Sequence, residues 1–416
     1  MTIFPIFLFR NSCCEPFVKF NRQYEFCKFN YLREQKLKET IQQIVCRVIM
    51  SVNSELDIPQ ITIANAKKLL KLITTQITKA GKQAIMLWGS PGIGKSDLVR
   101  ELAEETNREF VDIRLSTIDP VDLRGLPKID SEAMLTHWLP PDFLPQHKGQ
   151  PGILFLDEIN AASPMIQASA YQLILDRKLG DYTVPEDWMV IAAGNRLSDR
   201  SVAYRLPTAL ANRFTHFEII VSPEEWFNWA WQHDIDPFVI SFLRHHPSLL
   251  IKFEPDTNRI AFPTPRSWAF ASSFREARDV DLNLYYKGIQ GSVGSSAAQQ
   301  FLAFLKHRDR LADPDDVLEG RDYDPPSSPD AQYVMMGALI NSLLQNPSED
   351  RISHFFDYAD QFTGTATTDY SVVLVKELIT AFNSANRKVD DKKIGSLLSD
   401  HPKFKEWVSN NMEILK

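Results

Sequence analysis

The chain has 416 residues with 46 basic and 53 acidic side chains, for a formal net charge of −7, and 44% of its residues are hydrophobic. That balance excludes a disordered chain, a collagen-like fibre and a disulfide-dense mini-protein, and the length is enough for two or three domains with sizeable cores. No stretch approaches the ~18 consecutive apolar residues that span a bilayer, and the negative total argues against a constitutive nucleic-acid binder.

All four cysteines (Cys13, Cys14, Cys27 and Cys46) precede Met50, and the first 49 residues carry eight Lys/Arg against four Glu, so the remainder carries −11. The opening MTIFPIFLFR lacks a basic n-region, is interrupted by Pro5 and leads to no small-residue cleavage site, so it does not read as a signal peptide. The cysteine spacing fits no zinc or redox pattern. We expect Met50 to be the native start and residues 1–49 to be a non-native or disordered extension. The cysteine-free remainder then suits a reducing, cytoplasmic setting.

Residues 60–80 predict an amphipathic helix with Ala64, Leu69, Leu70, Ile73 and Ile77 on one face. AIMLW (84–88) predicts a buried strand ending at a glycine-rich turn, and 96–106 a helix. REFVDIRL (108–115) predicts a second strand. GILFLDE (152–158) is a third, with the unbroken apolar run of a parallel sheet covered on both faces. A helix over 164–178, a fourth strand over 188–195 and a fifth over 215–220 complete an α/β alternation that predicts a parallel sheet within a domain at 50–220. Beyond 221 helical spacing takes over, around Trp226, Trp229 and Ala230 and then Ile240, Phe242 and Leu243. Gly288, Gly291 and Gly294 follow no strand and read as a loop between helices. The tryptophans 226, 229, 231 and 268 read as core rather than a base-stacking platform. His245-His246 shows no metal-ligand spacing and falls at a helix end before Pro247. The acidic, proline-rich stretch 313–330 predicts a linker, followed by helices over 331–345, 371–384 and 402–415.

Gly89-Ser90-Pro91-Gly92-Ile93-Gly94-Lys95-Ser96 satisfies G-x-x-x-x-G-K-[ST] between a predicted strand and a predicted helix. Composition alone produces such a match on the order of once in a hundred chains of this kind. The glycines let backbone N–H groups turn inward around phosphate oxygens at a helix N-terminus. Lys95 reaches the β- and γ-phosphates and Ser96 ligates Mg²⁺ in that arrangement; Asp97 follows in the first helical turn. Asp157 and Glu158 end a buried strand, where α/β sheets bind ligands. There Asp157 would hold the Mg²⁺ shell and Glu158 would polarise a water for attack on the γ-phosphate, which favours hydrolysis over transfer to a substrate hydroxyl. Asn195 ends the fourth strand and could donate to the γ-phosphate.

GSPGIGKS, ILFLDE, AAGN, ALANRF and TPRSW occur in the order found in AAA+ ATPases, and over roughly residues 60–310 the chain resembles the MoxR-like, dynein-related branch. The resemblance implies an αβα P-loop domain with a five-stranded parallel sheet followed by a helical lid, here 221–312, while helical patterning alone marks a C-terminal region over 331–416. It also implies ATP with Mg²⁺ bound between subunits of a homo-oligomeric, usually hexameric, ring. Asn195 then corresponds to the sensor-1 residue, Arg213 to the arginine finger that enters the neighbour's site, and Arg266 to the lid's sensor-2 arginine. Arg196, Arg200 and Arg205 compete for the finger role. Between the second and third strands, 119–127 and 137–141 occupy the place of an insert in that family. Leu126, Trp138 and Phe143 would contact a client there, or the segment is a surface hairpin packed on its own domain. The expected function is a chaperone-like remodeller or activator of a protein client, in this family often a von Willebrand A-domain protein. The alternatives are a restriction-type nucleic-acid motor and a slow nucleotide-gated binding switch.

Overall fold

The computed structural model describes residues 58–75, 83–146, 149–196, 199, 204, 206–253, 260–362, 368–388 and 393–411; the expected extension 1–49 lies outside them. In chain order, β1 (Gln60–Thr62) runs into α1 (Ile63–Thr75), and β2 (Ala84–Trp88) runs through the glycine-rich loop into α2 (Lys95–Glu105). Next come β3 (Glu109–Arg114), a short helix α3 (Pro120–Arg124) and an antiparallel hairpin of β4 (Leu126–Asp130) and β5 (Leu135–Leu139). After β6 (Gly152–Asp157) and α4 (Pro164–Leu175), β7 (Lys178–Leu179) and β8 (Tyr182–Thr183) form a small hairpin, followed by β9 (Trp188–Gly194), α5 (Thr208–Ala211) and β10 (Phe214–Ile220).

The main sheet has the order β1-β10-β2-β9-β6-β3, and every pair in it is parallel. All five strands read from the sequence are present. A sixth is added at the edge: Gln60–Thr62, read as the start of a helix, pairs with Glu218–Ile220 before the helix begins at Ile63. The strands that bury every residue, β6 and β9, lie side by side in the interior of the sheet. Their side chains alternate between two apolar layers. Leu154, Leu156, Val190 and Ala192 pack with α4, whereas Ile153, Phe155, Met189 and Ile191 pack with α1 and α2.

The helical portion comprises α6 (Pro223–Gln232), α7 (Pro237–His245), α8 (Pro265–Ser272), α9 (Leu282–Val293), α10 (Ser295–Leu305) and α11 (Pro314–Leu318). It continues with α12 (Pro329–Gln345), α13 (Glu349–Asp360), α14 (Thr368–Lys388), α15 (Lys393–Asp400) and α16 (Pro402–Asn410). One apolar core runs through these helices, from Trp226 to Trp407. Where composition predicts a linker over 313–330, the structure holds α11, whose Val317 and Leu318 are buried in that shared core. The apolar pair, not the surrounding acids and prolines, decides the outcome. Gly288 and Gly291 likewise lie inside α9 rather than in a loop. At Gly288 a Cβ would stand 2.6 Å from the Phe274 ring, so the glycine lets that ring lie against the helix.

A buried ion pair joins the first and last parts of this core. Arg244 pairs with Glu377, which is fully buried, and also with Glu224; its guanidinium lies 3.9 Å from the centre of the Phe227 ring. Trp231 donates its indole N–H to Glu377 Oε2 at 2.6 Å. Burial pushes the Glu377 carboxyl upward and Arg244 opposes that shift. Among the described residues no helix is long and apolar enough to cross a membrane.

Candidate functional site

The loop after β2 turns through two left-handed glycines, Gly92 (φ 76°) and Gly94 (φ 98°), and Gly94 caps the N-terminus of α2. Residues with a Cβ rarely adopt those angles, which is why the loop needs glycine there. Lys95, the first residue of α2, is buried. Its ammonium donates to the carbonyls of Gly89 at 2.8 Å and Ser90 at 3.1 Å, and to Asn195 Oδ1 at 3.1 Å. Burial pushes this ammonium down to about 8, against the pull of Asp157 and Asp199. Ser90 Oγ donates to Asp199 Oδ1 at 3.3 Å. Ile93 is buried against the sheet, and Asp97 is exposed on the first turn of α2.

Parallel strand order brings the two sequence motifs together. Ser96 Oγ donates to Asp157 Oδ2 at 2.9 Å. That separation matches the edge of an octahedron with bonds of ~2.0–2.1 Å, and two oxygen donors with room for phosphate and water are what Mg²⁺ favours. The residues present therefore fit the ion the sequence implies. Asp157 Oδ1 accepts the backbone N–H of Glu158 at 2.8 Å. Glu158 itself has φ 56°, a left-handed angle that costs a non-glycine residue about 1 kcal/mol or more and is characteristic of functional turns. Its carboxylate accepts the Ser116 hydroxyl and lies 3.8 Å from Arg114 Nε, both at the end of β3.

Asn195 stands at the end of β9, held by a residue that motif reading overlooks. Asn160 Oδ1 accepts the Asn195 N–H at 3.1 Å, while Asn160 Nδ2 donates to the Asn195 carbonyl at 2.7 Å. Asn160 is buried, and a Cβ on Gly194 would stand 2.7 Å from its Oδ1. The amide therefore fixes the strand end that carries Asn195. Ser116 is the second overlooked residue; both become visible only once β3, β6 and β9 lie side by side.

The two assigned arginines part company. The backbone N–H of Arg266, at the start of α8, donates to the Gly92 carbonyl at 3.1 Å, so the helix start abuts the loop. Arg213 is exposed just before β10, whose first residue pairs with Ala84, the first of β2. The loop leaves the far end of β2, roughly 16 Å along the strand. Arg213 and the loop thus sit at opposite ends of these two neighbouring strands. Of the competitors, Arg196 is engaged by the buried Glu218, with Nε 2.8 Å from Oε1, and Arg200 and Arg205 lie outside the described residues.

A cavity of about 370 Å³ adjoins Gly92 and Gly94, lined by Ile63, Val221, Trp226 and Phe270 among others, and its apolar walls could hold a purine ring. The hairpin of β4 and β5 divides the residues expected at a client. Leu126 and Phe143 are exposed. Trp138 instead packs beside Gly180 and under the Arg124 guanidinium, 4.4 Å from the ring centre, while its backbone N–H donates to Asp181 Oδ2.

Residues 85–221 match the model of the ATPase family associated with various cellular activities, AAA. Over 99 residues the chain is 33% identical to the replication factor C large subunit of Ignicoccus hospitalis, a stretch covering 24% of this chain and 19% of that protein. Over 199 residues it is 27% identical to midasin of Giardia intestinalis, covering 45% of this chain and 4% of that protein. The chain thus spans less than a fifth of the length of either curated relative. Among solved structures it is similar to the Thermotoga maritima RuvB Holliday junction branch migration motor, at 17% identity and a TM-score of 0.33, over 67% of this chain and 81% of that one. With its parallel sheet, its phosphate loop and its match over residues 85–221, that part of the chain is similar to the AAA ATPases.

Proposed function

We propose that the chain is a MoxR-like AAA+ protein that hydrolyses ATP at the interface between subunits of a homo-oligomeric ring, remodelling or activating a protein client. The observation that carries this reading is the contact of Ser96 with Asp157 beside Lys95, with Glu158 next in the chain. Loop N–H groups and the Lys95 ammonium would bind the phosphates, and Asn195 would help orient the γ-phosphate. Ser96 and Asp157 would hold Mg²⁺, which neutralises charge on the β- and γ-phosphate oxygens when bound. Glu158 would release Ser116 and accept a proton from the attacking water. Arg266 would sense the nucleotide from the lid, and Arg213, exposed at the far end of the strands from its own loop, would act on the neighbouring subunit. An arginine supplied in this way is worth ~10³–10⁵ in rate in GTPases.

The midasin likeness supports the dynein-related branch. Exposed Leu126, Ile129, Met134 and Leu135 on the hairpin supply an apolar surface for a protein client, for which a von Willebrand A-domain protein is the leading candidate. The test is subunit mixing. Lys95→Ala and Arg213→Ala proteins are each inactive alone, and mixed they recover part of the ATPase, because some interfaces pair an intact loop with an intact arginine. Absence of recovery, with both variants still co-assembling, rejects action in trans.

A further inference from the structure

The adjacent histidines at 245 and 246 follow no metal-binding spacing, yet the fold completes a constellation around them. Neighbouring residues on an unbroken helix point in different directions. Here α7 ends at His245, and His246, before Pro247, leaves helical geometry (φ −121°, ψ 63°), so the two rings come to 4.4 Å between centres. Proline disfavours the helical region for the residue before it, which sets that break. Asp330, in the first turn of α12, faces both rings: its Oδ1 lies 3.1 Å from His245 Nε2 and 3.4 Å from His246 Nε2. From the end of α10, His307 brings its Nε2 to 3.9 Å from Asp330 Oδ2.

Three details distinguish this group from an ordinary surface ion pair. Asp330 Oδ1 is buried and accepts no hydrogen bond among the described residues, although two imidazole nitrogens are within 3.4 Å. The ligand atoms of His245, His246 and Asp330 all lie within 4.8 Å of one another, and the two carboxylate–imidazole distances of 3.1 and 3.4 Å are close to the ~3.3–3.6 Å edge of a tetrahedron with ~2.0–2.2 Å bonds. The rings are also held in place, His245 stacked on Tyr333 at 4.8 Å and His246 tilted against Phe242 at 5.0 Å.

We propose that His245, His246 and Asp330 form a site for a divalent transition ion of the zinc class, with His307 beside the other carboxylate oxygen of Asp330. Imidazole nitrogen with one carboxylate is a donor set that zinc and its neighbours accept, whereas Mg²⁺ and Ca²⁺ prefer oxygen throughout. The ligands come from the end of α7 and from α12, so the ion would clasp a lid helix to the first helix of the C-terminal region. Its role is structural, because the ligands lie apart from the phosphate loop and share no residue with it.

The test uses the full chain, free of any histidine tag and stripped by chelator, titrated with Co²⁺ in excess Mg²⁺ so that the nucleotide site does not compete. The expected result is one Co²⁺ per chain with visible d–d absorption, displaced by Zn²⁺, and a melting temperature raised by Zn²⁺. Asp330→Asn and His246→Gln, both close in shape to the native residues, each weaken Co²⁺ at least 10-fold and abolish the Zn²⁺-dependent rise; His307→Ala weakens it less. Should either replacement fail to fold, the other and His307→Ala carry the comparison. No visible absorption, or Co²⁺ binding unchanged in Asp330→Asn, overturns the site and leaves an ion pair between Asp330 and protonated imidazoles.

Discussion

The sheet domain and the helical body solve opposite problems. In the sheet domain the groups that matter are polar, gathered at one end of parallel strands, and held by short-range devices: a glycine loop, a strand-end amide and a left-handed glutamate. In the helical body the crucial polar groups are inside the core, where Arg244, Glu377, Trp231 and Phe227 meet across 146 residues of chain. The difference teaches where sensitivity should lie. Alterations at the strand ends should change turnover with little change in stability, and alterations at the buried pair should do the reverse.

The largest expected effect is therefore in the helical body. Glu377→Ala leaves the Arg244 guanidinium only the exposed Glu224, and losing one partner of a buried pair costs about 3–5 kcal/mol. Urea unfolding monitored by tryptophan fluorescence should show that loss in the helical transition, with ATP affinity intact below it. If ATP affinity collapses while the helices stay folded, the two regions are not separable in this way. Asn160→Ala comes next and should act in the opposite sense, lowering kcat by up to about 10²-fold through misplacement of Asn195. Its KM for ATP and its melting temperature should change little by comparison, which steady-state kinetics and a thermal melt would check.

A pH effect separates the regions more finely. Lys95 has its folded pKa pushed down to about 8 from an ordinary 10.5 by burial. Between those values the unfolded chain binds more protons than the folded one, so stability rises with pH. The penalty for burying the charged amine is fully present below pH 8 and is relieved as pH climbs toward 10.5. Phosphate binding needs the charged form, so affinity for ATP should fall as pH passes about 8 while the fold becomes no weaker. Calorimetric titration from pH 7 to 9.5 would reveal flat affinity if the amine is not depressed. Ser116→Ala should have the smallest effect, about 1 kcal/mol or less, seen as a few-fold change in kcat as Glu158 is freed from its hydroxyl partner.

What was legible in the sequence divides along the same line. The glycine loop, the Asp157-Glu158 pair and the five main strands are each local patterns of fewer than ten residues, and apolar runs such as 152–157 read directly as strands buried on both faces. Gln60–Thr62 was too short to show alternation, and its pairing with Glu218–Ile220 is set by residues more than 150 positions away. Asn160 and Ser116 carry no motif, because their roles arise from strand order. The segment 313–330 misleads for another reason: its acids and prolines outnumber Val317 and Leu318, yet those two side chains are buried. The histidine pair is visible as a pair, but Asp330 and His307 join it only through helix packing.

The central claim is that Glu158 activates water for hydrolysis of a nucleotide held by Lys95, Ser96 and Asp157. Glu158→Gln keeps the size and the backbone position while removing the base. Single-turnover hydrolysis of ATP with Mg²⁺, measured beside nucleotide retention on the same protein, tests that claim most directly. Retained ATP and turnover reduced by ~10²–10⁴-fold are expected. Hydrolysis at the unaltered rate, with ATP bound as tightly as before, would contradict it.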